Sequence, residues 1–421
     1  MGATSHKNLF ERNRAKLSIE MEKDGLVVIF SARRMPRNGD QYFPFRQDSD
    51  FFYLTGIEQP ESILVLNKSE AFLFITEPSD QVALWEGEQL NAEKAGEISG
   101  IENIRWLGAF GKVMDKLLPN HHNIYFNVPE KIAPGKLNAR DALYLEEFTR
   151  TRPFHHIHSL RPLMKKLRLI KEPEEVEIIR RAIDITREAY MRVLQTLKPD
   201  IPEKTMEAEI THQMMISGAQ GFAFDPIMAS GKNATTLHYT ANNEVCHKGD
   251  LLLMDFGAEY RNYAADITRT IPVNGKYSAR QKECYQAVLE VMNDLMKEIR
   301  PGTSLDHLQQ QVAEELSQKH RQLGLYSDND AAKDNHLWKK YFPHGVSHFM
   351  GLDVHDYGDK NTVLEKGMVI SWEPGLYIPE EGIGIRIEDD ILVDDKPVNL
   401  SAGIPKEPGQ IESLMQAKTT P

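Results

Sequence analysis

The sequence predicts two domains: an α/β domain with a mixed sheet over residues 1–168, then an α+β domain with a curved antiparallel sheet over residues 169–421. Three observations carry this expectation. Short apolar runs alternate with helical stretches through the first third, as in layered α/β folds. A strong helix start follows the stretch at 168–173. From about residue 222, strand-like runs arrive in groups broken by two long helices, which is the pattern of an α+β fold. At 421 residues the chain is also long for a single core.

Within the first domain, the runs LVVIF (26–30), SILVLN (62–67), EAFLFIT (70–76) and NIYFNV (123–128) read as buried strands. Residues 11–23 and 109–118 read as helices. The boundary helix opens at Pro173, which suits the first helical position, and acidic residues crowd the first turn, where the helix dipole favours them. Val176, Ile179, Ile183, Tyr190, Val193 and Leu197 recur at roughly helical spacing until Pro199 stops the run. A second helix follows over 202–217. Beyond it DPIMAS, LLLMDFGAEY, DITRTIPV, the stretch through GLDV, MVISWEPGLYI and GIGIRIEDDILV read as strands. Long helices at 279–299 and 304–323 interrupt them.

Composition excludes several classes. A formal charge of −12 argues against nucleic acid as a partner. Two cysteines, Cys246 and Cys284, exclude a disulfide framework and any multi-cysteine zinc site. The start MGATSHKNLFERNRAKL holds no apolar core of signal-peptide length, and His6 breaks the myristoylation pattern. The longest early apolar run, Leu26 to Phe30, is one short strand and cannot span a membrane. A cytoplasmic protein with no membrane partner is therefore expected. No GxSxG elbow, no GxxxxGK[ST] loop and no GxGxxG after a strand is present.

Four carboxylates and one histidine, Asp255, Asp266, His348, Glu373 and Glu388, form an oxygen-rich set suited to hard or borderline divalent ions. Two such ions close together generate a hydroxide nucleophile at neutral pH. Asp255 and Asp266 stand 11 residues apart on two strand candidates that a hairpin would join at one end of a sheet. Taken singly, either reads better as a turn or capping residue. As a pair the ligand reading gains, because an Asp within LLLMDF is costly to bury without a partner or a metal. Glu373 and Glu388, 15 apart, bracket another hairpin candidate rich in glycine. Glu388 could alternatively belong to a solvated acidic turn with Asp389 and Asp390. Arg386 shares the face of Glu388 in strand alternation and could hold a metal carboxylate in place.

The segment HGVSHFMGLDVHD brings His344, His348 and His355 within 12 residues. His344 and His348 have the i, i+4 spacing of a zinc helix. The glutamate of HExxH is missing, however, and Gly345 and Gly351 oppose a stable helix. A strand and loop delivering one ligand and two polar substrate contacts is the expected form. His238, in LHYTANN, is a further candidate, although alone it reads as a surface histidine.

These residues carry a resemblance. RLIKEPEEVEIIRRA, ASGKNATTLHYT, LLLMDFGAEYRNYAADITRTIPVNGKYS, HGVSHFMGLDVHD, EPGLYIP and GIGIRIEDDILV, in that order over most of 165–400, resemble the pita-bread metallopeptidases. Among these they resemble the Xaa-Pro aminopeptidases (aminopeptidase P). FPFRQDSDFFYLTGIEQPESILVL (43–66) is similar to that family's N-terminal domain, and the closing SLMQ to its C-terminal end. The resemblance implies a dinuclear site, commonly manganese, with cobalt, zinc or iron as other fits. Asp255 would bind one ion, Asp266 and Glu388 would bridge both, and His348 and Glu373 would complete the coordination of the second ion. It implies catalytic roles for Glu373, His238, His344 and His355, with the three histidines, Tyr377 and Arg386 binding substrate.

The implied substrates are peptides with proline at the second position, and the implied assembly is a dimer or tetramer built with the help of the N-terminal domain. A prolidase restricted to dipeptides shares the ligand set. A metal-free binding protein, or a creatinase-like hydrolase that needs no metal ligands, would not need all five. One departure stands out: where relatives often carry a basic stretch after Trp-x-Gly, Trp85-Glu86-Gly87-Glu88-Gln89 is acidic.

Overall fold

The computed structural model describes residues 3–128 and 139–417, without the side chains of 3–6 and 139–142. It divides into two compact units, one ending at Arg168 and the other beginning at Leu169. In the first, six strands form one mixed sheet: β1 Gly25–Phe30, β2 Ile63–Leu66, β3 Ala71–Ile75, β4 Asn103–Trp106, β5 Asn123–Phe126 and β6 His156–Ser159, in the order β4-β3-β2-β1-β5-β6. β1 pairs antiparallel with β2 and parallel with β5. Alternation sends Leu26, Val28 and Phe30 into a core with Phe74, Met114, Ile124, Phe126 and Phe148, while Val27 and Ile29 are buried on the other face. The expected strands are all present. β4 and β6 escape the sequence reading because they are short and polar (NIRW and HIHS), so their pairing rather than their pattern makes them strands.

The second unit opens with α1 Pro173–Thr196. Pro173 is its first residue, and Glu172 and Glu175 form a reciprocal capping box. Its buried stripe includes Val176, Ile179, Ile183, Tyr190 and Val193. α2 Glu203–Ile216, α3 Ala279–Leu295 and α4 Leu305–Gln322 match the remaining helical stretches, α3 ending in a short 3-10 turn at Met296–Glu298. The antiparallel sheet is present as several short ladders. β7 Ile227–Ser230, β8 Leu251–Phe256 and β11 Ile267–Pro272 form one, with β9 Ala258–Tyr260 and β10 Tyr263–Ala264 at the tip of the β8–β11 hairpin. β12 Val369–Trp372 pairs with β15 Asp389–Leu392, and β13 Gly375–Ile378 with β14 Ile383–Arg386.

The stretch through GLDV is not a strand. Residues 351–355 run through bends, because Gly351 N donates to Asp353 O (3.0 Å) and closes a local turn. No helix among the described residues is long and apolar enough to cross a membrane.

His320, in α4, is fully buried, and its Nε2 has no hydrogen-bond partner among the described residues. Burial, reinforced by Arg321, pushes the imidazole down from 6.5 to about 4. Its folded value lies below its unfolded one, so between these limits the unfolded chain binds a proton that the folded chain excludes. Stability therefore falls as pH falls through that window, by up to about 3 kcal/mol from this group. His320→Phe should flatten that part of the profile, as read from urea midpoints between about pH 7 and 4.

Candidate metal centre

Two hairpins and one irregular segment build the site. In the first hairpin Asp255 lies opposite Thr268, and Asp266 immediately precedes β11. Antiparallel pairing thus brings two carboxylates, 11 residues apart, to one end of a buried ladder. Gly257 permits the close approach: a Cβ there would stand 1.6 Å from the Ala265 carbonyl oxygen. In the second, Glu373 and Glu388 occupy the breaks between β12 and β13 and between β14 and β15. Glu388 N donates to Thr268 O at 3.1 Å and joins the two hairpins. His348 is delivered by extended, non-helical chain beside β12, where Ser371 N donates to His348 O (2.9 Å) and His348 N donates to Ser371 Oγ (3.0 Å).

The donor atoms of Asp266, His348 and Glu388 lie within 4.8 Å of one another. His348 Nε2 is 3.2 Å from Asp266 Oδ2 and 3.7 Å from Glu373 Oε1. Its Nδ1 faces the Phe349 carbonyl at 3.2 Å, an acceptor only, so Nδ1 carries the hydrogen and a neutral ring offers Nε2 as ligand. Asp255 Oδ1 is buried with no hydrogen-bond partner among the described residues. Burial first, then Asp266, pushes the Asp255 carboxyl up to about 6 against the pull of Arg386. Glu373 rises to about 7 through burial, against His348 and Arg386 and with repulsion from Asp266 and Asp255. Glu388 lies well above the usual range through burial and the same carboxylates. For His348, burial opposes the charge, but Asp266 and Glu373 outweigh it and raise the ring to about 9. An orphaned oxygen and crowded carboxylates beside one imidazole fit divalent cations, whose charge would relieve that repulsion.

The carboxylates are held from behind. Arg386 NH2 donates to Asp255 Oδ2 (2.5 Å), NH1 to the Tyr377 hydroxyl (2.8 Å) and Nε to Thr268 Oγ1 (3.0 Å). The carboxylate that Arg386 grips is Asp255. Glu388 is gripped by Thr268, whose hydroxyl donates to Oε2 at 2.6 Å. Ser371 Oγ donates to Glu373 Oε1 at 3.2 Å. The sequence reading missed Thr268 and Ser371. Each stands two residues from a candidate ligand at the end of a strand, and that spacing is the signal that could have found them.

A cavity of about 470 Å³ opens onto these residues, and His238, His344, His355 and Arg386 also line it. Tyr377 is buried and does not line it. Its hydroxyl accepts from Arg386 and lies 2.8 Å from His344 Nε2, while His344 Nδ1 faces the Gly345 carbonyl at 2.8 Å. Gly345 O can only accept, so Nδ1 donates and Nε2 receives the tyrosine proton. Burial and Arg386 push His344 down to about 3, which keeps it neutral. His238 and His355 are exposed to the cavity, with no hydrogen-bond partner among the described residues.

Fold and site together define a metal-dependent hydrolase whose candidate ligands come from two antiparallel hairpins and the irregular segment that carries His348. Residues 177–395 match the model of metallopeptidase family M24, and residues 10–125 match that of the aminopeptidase P N-terminal domain. The chain belongs to metallopeptidase family M24, among its Xaa-Pro aminopeptidases. It is similar to the Xaa-Pro aminopeptidase of Escherichia coli, with 37% identity over 431 residues that cover 97% of each chain. Xaa-Pro aminopeptidase 3 of Homo sapiens is 33% identical over 416 residues, 93% of this chain and 81% of that one. The solved aminopeptidase P from Escherichia coli with the inhibitor Pro-Leu superposes with a TM-score of 0.89 at 35% identity over 98% of both chains. Proline aminopeptidase P II from Yersinia pestis gives 0.89 at 33% identity over 98% of this chain and 99% of that one.

Thr268→Val should weaken divalent-ion binding by about tenfold, the scale for groups that hold a ligand in place. Calorimetric titration of metal-stripped protein would read this, with Thr268→Ser restoring the affinity.

Proposed function

We infer that this chain is a metal-dependent aminopeptidase that hydrolyses the bond between an N-terminal residue and a following proline. The observation that carries the reading is the convergence of Asp266, His348 and Glu388 within 4.8 Å in a chain of family M24. Two divalent ions are proposed. Asp255, Asp266, His348, Glu373 and Glu388 would hold them. The donor set suits manganese, and also cobalt, zinc or iron. An Escherichia coli relative has been solved as a zinc-substituted form with product. When bound, the ions supply Lewis-acid polarisation of the scissile carbonyl and an ionised water at neutral pH.

The side chains divide the remaining work. Glu373, at the cavity wall and steadied by Ser371, accepts the proton of the attacking water and passes it to the leaving nitrogen. That nitrogen belongs to proline, which has no N–H and a fixed φ, so the cavity must accept a ring that most peptidases reject. His238 and His355 have free ring nitrogens facing the substrate space and would donate to the developing oxyanion. His344, with both nitrogens engaged, and Tyr377, behind the wall, would act with Arg386 to position Asp255 rather than to carry protons. The unit ending at Arg168 is proposed to govern substrate access and assembly into a dimer or tetramer, and the exposed Leu84 and Trp85 beside the acidic segment support this. Buried thiols at Cys246 and Cys284 suit a reducing cytoplasm.

Metal-stripped protein should regain hydrolysis of Xaa-Pro-Xaa peptides on readdition of single ions, and should leave Xaa-Ala-Xaa peptides intact. Cleavage of the Xaa-Pro dipeptide alone would instead identify a prolidase. Glu373→Gln should lower kcat by about 100-fold or more while melting near the parent temperature.

A further inference from the structure

Of the charged residues lining the cavity, Asp225 alone has no part in the chemistry above. It is exposed, whereas Asp255, Asp266 and Glu388 are buried and Glu373 half-buried. No ion pair or hydrogen bond engages its side chain among the described residues. The backbone around it is firmly set. Pro226 restricts Asp225 to extended conformations. The buried Asn242 clamps the next three residues, donating to the Pro226 carbonyl (2.8 Å) and accepting from Met228 N (2.9 Å). Two residues on, Ile227 lies directly opposite Asp255 in the β7–β8 ladder. At the rise of extended chain, Asp225 stands about 7 Å along the strand from the level of that ligand. This is the reach of two residues of an extended peptide or of one long side chain.

The surroundings select the charge and shape of what would meet Asp225. Phe224, Ile227, Leu237 and Val354 supply apolar wall to the same cavity. Arg386, the cation of the cavity, is already committed to Asp255, Thr268 and Tyr377. Two divalent ions would be balanced by their four carboxylates, which leaves Asp225 as an uncompensated negative charge in contact with solvent. Apolar wall and an exposed carboxylate in one cavity match the aliphatic stem and cationic head of lysine or arginine.

We propose that Asp225 is a specificity residue that favours peptides carrying a lysine or arginine side chain on one side of the proline, at the first or the third position. This rests on the cavity being the site of Xaa-Pro cleavage. The tripeptides Lys-Pro-Ala and Glu-Pro-Ala probe the first position, and Ala-Pro-Lys and Ala-Pro-Glu the third, with Ala-Pro-Ala as reference. The readout is the ratio of kcat/KM for the lysine peptide over its glutamate counterpart. The holoenzyme should show a ratio of at least about fivefold at one of the two positions, shrinking at high salt, as expected for an exposed ion pair. Asp225→Asn should bring that ratio close to one, and Asp225→Lys should invert it, with bound metal unchanged in both. A ratio near one in the parent enzyme, or a ratio that survives both substitutions, would overturn the proposal. Failure of the parent to cleave Ala-Pro-Ala would defeat the functional reading itself, and this inference with it.

Discussion

Asp255, Glu373 and Glu388 share one buried cleft with Asp266, and burial together with mutual repulsion makes the first three harder to ionise than in water. That unfavourable crowding is the constraint to which the catalytic unit is built. The backbone absorbs part of it: β8 and β11 are buried along their length, and Glu388 N is bonded across to Thr268 O. Arg269 absorbs another part. Fully buried, it donates through NH1 to the carbonyls of Thr268 (2.9 Å) and Glu388 (2.6 Å), and through NH2 to Asp389 (2.6 Å). Asp389 is held low, against its burial, by Arg269 and Lys406. A buried ion pair is weak evidence of stability in itself. Here its geometry ties the two carboxylate-bearing hairpins together beside Thr268 and Glu388.

The same logic separates the histidines. His348 is committed by its Phe349 contact to presenting Nε2 to the carboxylates. His344 is committed by Tyr377 and Gly345 to a neutral, internally bonded role. Only His238 and His355 face the cavity with ring nitrogens free among the described residues. Three histidines within 12 residues thus have three different chemistries, set by what each ring touches rather than by residue type.

Legibility in the sequence tracked the origin of each signal. The helix at Pro173 is written locally, in a proline, a capping pair and a 3.6-residue apolar period, and the structure uses all three. The hairpin that brings Asp255 and Asp266 to one end of a ladder is legible because an acid inside an apolar strand needs a reason to be there. The GLDV stretch misleads because the mostly apolar run at 349–354 between two histidines looks like a strand, while a turn at Gly351 bends it. The polar strands Asn103–Trp106 and His156–Ser159 carry no period to read, since they exist only through their neighbours in the sheet.

By itself the sequence determined the fold class, the family and the residues that are candidate ligands, because apolar periodicity, turn residues and motif order are local properties of the chain. Tertiary structure decided which group grips which carboxylate. Strand alternation puts Arg386 on the face of Glu388, yet its guanidinium reaches Asp255, 131 residues away in the chain, and leaves Glu388 to a threonine hydroxyl 120 residues away. No spacing rule encodes such contacts. They follow from the register in which two separate hairpins meet, and only packing sets that register.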